Sequence, residues 1–146
     1  MRKKYRVTFL FHKSNLWFEK RLRNFNFKLN NKYTFKISKN KDKVQNQDIV
    51  FPLSYPRILP DSFLKKNKLV LIIHGSKLPK DKGFSPIQYQ ILKNKKKIYI
   101  SLIRATSNVD SGPIYLQKSF KFNGTELYDE IRHIQGKMFL SMIKDF

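Results

Sequence analysis

Five consecutive apolar residues, Leu69, Val70, Leu71, Ile72 and Ile73, end at a histidine, His74. An unbroken run of this kind predicts a strand buried on both faces, as parallel sheets require. The histidine stands where that strand stops. Gly75, Ser76, Lys77, Leu78, Pro79, Lys80, Asp81, Lys82 and Gly83 follow, too many for a tight turn, and loops at strand ends are where α/β proteins place their chemistry. Ser85 and Pro86 then read as a helix start, with an N-cap hydroxyl before a proline whose missing N–H is harmless in the first turn. A second strand, Lys97 to Arg104, leads to Val109, Asp110, Ser111 and Gly112, which hold a carboxylate just before a glycine turn.

The rest of the chain supplies a sheet for this segment. Tyr5 to Phe11 reads as a first strand with Val7, Phe9 and Phe11 on one face. Asn15 or Ser14 is placed to cap a helix from Leu16, with Leu16, Phe18 and Leu22 on its apolar side. Tyr33 to Ile37 and Asp48 to Phe51 read as further strands, separated by an exposed loop from Lys39 to Asn46, and Pro60 to Lys66 as a short helix. From Thr125, taken as the cap, Leu127, Ile131, Ile134, Met138 and Met142 recur every three or four residues as one face of a helix, with Glu126 and Asp129 near its positive end. Strands alternating with helices predict a three-layer, Rossmann-like α/β fold: a mostly parallel twisted sheet with helices on both faces. At 146 residues and 40% hydrophobic content one domain, residues 1–146, is expected.

Bulk composition narrows the functions. No apolar run approaches the ~20 residues of a membrane-spanning helix, and the basic amino terminus lacks a signal-like core, so a cytoplasmic protein without a membrane partner is expected. The absence of cysteine removes disulfides, thiolate zinc sites and thiol nucleophiles together. No G-x-G-x-x-G follows the first strand, which argues against a dinucleotide held in the usual way. A net charge of +21 attracts polyanions. Its lysines are nevertheless spread along the chain, and Lys39 to Lys43, Lys65 to Lys68 and Lys93 to Lys97 fall at element ends, where charge runs are usually solvated. Nucleic-acid binding is therefore the weaker reading. The same field suits a small ligand carrying phosphate or carboxylate groups.

Three separated blocks resemble the formyltransferases that use 10-formyltetrahydrofolate: His74-Gly75-Ser76-Lys77-Leu78-Pro79, Lys82-Gly83-Phe84-Ser85-Pro86-Ile87-Gln88, and Val109-Asp110-Ser111-Gly112-Pro113-Ile114. Order and spacing agree together. Asp48 to Val50 with Ser54-Tyr55-Pro56-Arg57-Ile58-Leu59-Pro60 is similar to the family's pterin-contacting segment, and Glu126 to Gln135 to the helix after the catalytic core. Within the family the chain looks like a short branch similar to sugar N-formyltransferases and methionyl-tRNA formyltransferase-like proteins, with a shortened amino-terminal half. The resemblance implies the formyltransferase fold, with His74 and Asp110 as catalytic residues. It implies folate contacts from Tyr55, Arg57, Ile58, Leu59, Pro60 and Asp110, and acceptor contacts from Gly75, Ser76, Lys77, Leu78, Pro79, Gly83 and Ser85. No metal is expected. The implied co-substrate is 10-formyltetrahydrofolate and the implied acceptor an amine, foremost the amino group of a nucleotide-linked sugar. A catalytically silent module of the same fold, binding nucleic acid, is the alternative.

Each candidate also has a plainer explanation. His74 could simply finish a core strand, and Asp before Ser-Gly is a routine turn former. His12 and His133 have only structural readings. Glu126, Asp129 and Glu130 read as helix-terminus charges, and Tyr55, Phe84 and Tyr89 either line a pocket or pack. One departure from the family matters: many members carry an asparagine two residues before the histidine, where this chain has Ile72. Isoleucine donates no hydrogen bond, so three outcomes follow: another donor such as Asn67, Ser76 or Asn108 substitutes, the enzyme is slow, or the fold is kept for binding alone. The catalytic expectation rests on His74 and Asp110 converging in one open cavity.

Overall fold

β1 (Tyr5–Leu10) buries Val7, Thr8, Phe9 and Leu10 in succession, the signature of a strand with neighbours on both sides. In the computed structural model, which describes residues 4–25 and 31–146, those neighbours are β2 (Tyr33–Ser38) and β3 (Ile49–Pro52), in the order β2-β1-β3, both parallel to β1. Phe9 stacks on Phe35 at 5.9 Å and on Phe51 at 5.7 Å between ring centroids, so three aromatic rings tie the strands together. α1 (Glu19–Asn24) and α2 (Asp61–Lys65) complete this part of the chain. It belongs to one of two compact units, formed by the chain up to Ile72 with Ala105–Ser107. Leu10, Val44, Val50, Leu59, Phe63 and Val70 form a core cluster there, with Val70 bridged in parallel to Val50.

A buried carboxylate fastens this unit. Asp48, 5% exposed at its side chain, accepts the Arg6 backbone N–H at 2.8 Å and the Lys68 ammonium at 2.7 Å, with Arg6 Nε at 3.6 Å. The backbone hydrogen bond from Arg6 and then that from Lys68 lower its pKa to about 2. Asn67 is equally committed, donating to the carbonyls of Val44 and Phe63 and accepting from Gln47 N–H.

The second unit runs from Ile73 to Arg104 and from Asn108 to Phe146. β4 (Leu71–His74) enters it, followed by α3 (Pro86–Leu92), β5 (Lys97–Arg104), β6 (Ile114–Lys121) and α4 (Tyr128–Asp145), with sheet order β4-β5-β6. The fold is mixed α/β with a parallel sheet, as expected, and β5 and β6 add an antiparallel pair. β6 was hidden in the sequence because Lys118 interrupts the side carrying Leu116 and Phe120. Its ammonium is bonded to Ser141 and Asp145 of α4, which explains a lysine there.

The helix starts differ from those expected. α1 begins at Glu19 and not at Leu16, with no side-chain cap: Asn15 donates to the Ser54 carbonyl and Ser14 engages His12. Ser85 makes no capping hydrogen bond and has φ 52°, although Pro86 does open α3. Thr125 is not the cap of α4. Glu126 instead accepts the N–H groups of Asn123 and Gly124, and Glu130 accepts that of Leu127, so the helix starts at Tyr128. Leu127 is consequently exposed, and the buried stripe is Gln135, Phe139, Met142 and Ile143. Lys39 to Asn46 is not a plain loop either: Lys41–Lys43 form a 3-10 turn capped by Asn40. Among the described residues no helix is long and apolar enough to cross a membrane.

Candidate active site

His74 ends β4 with its ring almost wholly covered, and Asp110 comes to meet it from the β5–β6 connection, where its φ is 52°. Nδ1 of His74 lies 3.4 Å from Oδ1 of Asp110, the two side chains being 7% and 9% exposed. The other ring nitrogen, Nε2, donates to the carbonyl of Asp81 at 3.0 Å, and the second carboxylate oxygen of Asp110 accepts the Gly83 N–H at 2.9 Å. Both neighbours of the ring are acceptors, and a ring with a single N–H serves one of them at a time. The expected convergence is present. The expected open cavity is not, because residues 81–83 of the chain's own loop lie on both side chains.

The first half of that loop is held from behind by buried polar side chains. Gln90 of α3 donates to the carbonyls of Gly75 and Tyr99 and accepts the Tyr99 N–H. Ser101 of β5 donates to the Ser76 carbonyl and accepts the N–H of Leu78 and the side-chain amide of Gln117, which also reaches the Leu78 carbonyl. Ser76 donates to the carbonyl of Lys80. At Gly75 a Cβ would sit 2.5 Å from Cγ1 of Ile87, so glycine is needed for close approach to α3. None of Gln90, Ser101 and Gln117 was legible as part of the site, since glutamine and serine at such positions carry no sequence motif.

The tip is held from the surface. The Asp81 carboxylate lies 3.6 Å from Lys93 and 3.4 Å from Lys95, and these ammonium groups, Lys95 foremost, keep its pKa below the usual carboxylate range. Lys82 donates to the Ser111 hydroxyl at 2.8 Å.

The structure therefore brings His74, Asp110 and the loop residues together within the second unit. Gly75, Ser76 and Leu78 are buried and structural in their contacts. Lys77 lies over the Tyr99 ring at 4.9 Å, Pro79 follows a cis peptide bond, and Gly83 has φ 104°. Phe84 and Tyr89 are exposed. Tyr55, Arg57, Ile58, Leu59 and Pro60 lie in the first unit. There Leu59 is packed in the core, Ile58 is 65% exposed, and Tyr55 meets His12 edge-on at 5.6 Å. His12 and His133 stay outside the dyad, and among the described residues no cluster of three or more His, Asp or Glu could hold a metal ion.

Residues 1–143 match the Formyl transferase family model, so the chain belongs to the formyl transferase family. It is 29% identical over 104 residues to the methionyl-tRNA formyltransferase of Lactobacillus johnsonii, a match covering 68% of this chain and 33% of that protein. The chain thus spans about a third of the length of the curated relatives it matches. Its fold is similar to the methionyl-tRNA formyltransferase from Clostridium thermocellum, with a TM-score of 0.70 and 23% identity over 97% of this chain and 65% of that one. It is also similar in fold to WlaRD, a sugar 3N-formyl transferase solved in the presence of dTDP and 5-N-formyl-THF, with a TM-score of 0.63 and 20% identity over 97% of this chain and 62% of that one.

Proposed function

We propose that residues 1–146 work as one catalytic domain that transfers a formyl group from 10-formyltetrahydrofolate to a primary amine, with His74 and Asp110 as catalytic residues. The observation that carries this reading is the 3.4 Å approach of His74 Nδ1 to Asp110 Oδ1 beside a glycine-bounded loop. The donor set fits the chemistry: one imidazole N–H and one adjacent carboxylate suit a carbonyl under attack by an amine. Folate supplies the electrophilic formyl carbon. A nitrogen–carbon bond to the acceptor forms, the carbon–N10 bond breaks, and the proton lost by the amine is replaced by one gained at N10.

His74 Nε2–H, once clear of the Asp81 carbonyl, donates to the oxygen that becomes negative. Asp110 lies beside the ring, and its second carboxylate oxygen, once released by the Gly83 N–H, collects the amine proton. Ile72 adds no donor, and the side chains of Asn67 and Ser76 are spent on backbone carbonyls, so this stabilisation is assigned to the ring N–H, with Asn108 as the remaining side-chain donor to test. Segment 55–60 is the proposed pterin grip. Ser85 and the exposed lysines of the loop are proposed to meet the acceptor.

The acceptor we favour is the amino group of a nucleotide-linked sugar, which pairs a reactive amine with phosphates suited to the charge of +21. Similarity to methionyl-tRNA formyltransferases supports a second reading, in which the amine is that of an aminoacyl-tRNA. Incubation with formyl-labelled folate and either a dTDP-amino sugar or charged methionyl-tRNA separates the two by where the label appears. Label in neither, together with RNA binding that weakens steeply with salt, would favour the silent nucleic-acid-binding alternative.

A further inference from the structure

We propose that Asp81 is an internal latch that keeps the tip of the His74 loop over the dyad, and that a phosphate-bearing acceptor opens it by taking Lys93 and Lys95 from the aspartate. The inference deepens the reading of His74 and Asp110 as a formyl-transfer pair and rests on that reading for its functional meaning.

One residue faces two ways. The Asp81 carbonyl occupies Nε2 of His74, while its carboxylate is paired with Lys93 and Lys95. Two residues on, the Gly83 N–H occupies the second oxygen of Asp110. The tip therefore blocks both groups that the chemistry needs, and a single outward movement of residues 81–83 frees both. The two halves of the loop are built for unequal stability. Residues 75–80 are tied by the buried side chains of Gln90 and Ser101, whereas the tip is held from outside by the exposed Lys82–Ser111 hydrogen bond and by ion pairs whose side chains are 33% exposed at Asp81, 59% at Lys93 and 45% at Lys95. Exposed pairs of this kind are weak and screened by salt, as a releasable contact must be.

The same exposure identifies the ligand chemistry. Lys93 and Lys95 converge on one anion and remain open to solvent, so an incoming anion reaches them without rearranging the core. A phosphate or diphosphate carries more charge and more acceptor oxygens than a carboxylate and competes for two ammonium groups at once. An acceptor with such a group would thus uncover the dyad as it binds, while a neutral amine would not. In this account Lys93 and Lys95 determine specificity.

Amide hydrogen exchange at Gly83, followed by NMR on the full chain, tests the latch without requiring turnover. Inorganic pyrophosphate should speed Gly83 exchange about three- to tenfold over sodium chloride at matched ionic strength, leaving Ile100 in β5 unchanged. Asp81→Asn should speed it by a similar factor without ligand and abolish the response, and the Lys93→Ala/Lys95→Ala pair should also abolish the response. Gly83 exchange that pyrophosphate leaves unchanged, or that Asp81→Asn leaves unchanged, overturns the proposal. An opening latch in a protein that formylates no amine upholds the role of Asp81 and refutes the transfer reading. Transfer with unmoved exchange at Gly83 does the reverse.

Discussion

Asp48 in the first unit and Asp81 in the second each face two cations, yet they are opposite kinds of contact. Asp48 is 5% exposed, accepts a backbone N–H at 2.8 Å and a lysine at 2.7 Å, and fastens the β1–β3 pair to the segment around Lys68. Asp81 is 33% exposed and meets its lysines only at 3.4 Å and 3.6 Å. The number of partners is the same; burial and backbone hydrogen bonding decide which carboxylate holds a fold and which holds a movable tip. A charge pair read in a sequence says little until its exposure is known.

The largest stability effect belongs to the buried half of the loop. Gln90→Leu strips partners from two carbonyls and one N–H at Gly75 and Tyr99. It should lower stability by roughly 3 kcal/mol in urea denaturation, since each buried orphan costs ~1–3 kcal/mol. Asp48→Ala should follow at about 2 kcal/mol, because the Arg6 N–H and Lys68 lose their anion. A smaller version of the same effect is reached by acid. With its pKa depressed to about 2, Asp48 contributes stability that is complete above its unfolded value near 3.8 and is lost as pH falls through about 2. About 1–2 kcal/mol should disappear across that window, after discounting for the water around Arg6 and Lys68, and Asp48→Asn should flatten that part of the profile. Asp81→Asn is expected to leave the unfolding midpoint within experimental scatter. A loss there as large as that of Asp48→Ala would erase the distinction between fastener and latch.

What could be read from the sequence follows the strength of local signals. The run ending at His74, β5 from Lys97 to Arg104 and Pro86 at the head of α3 were all legible, because burial on two faces and a fixed proline φ leave few alternatives. So was the meeting of His74 with Asp110, through separated blocks in register. The helix caps were not. Serine, threonine and asparagine have competing uses, and here Asn15 serves Ser54 while Glu126 takes over the turn that Thr125 was expected to start. The buried hold on Gly75, Ser76 and Leu78 was invisible because Gln90, Ser101 and Gln117 are ordinary residues made important by position. Asp81 looked like one charge in a lysine-rich loop, and only its geometry shows that its carbonyl and carboxylate engage different elements.

Formyl transfer itself decides the central claim. Wild-type protein, given labelled 10-formyltetrahydrofolate and an amine acceptor, should place the label on the amine. His74→Ala and Asp110→Ala, checked to unfold cooperatively like the wild type, should each be slower by about 100-fold or more. Equal rates in the wild type and both variants would contradict the account.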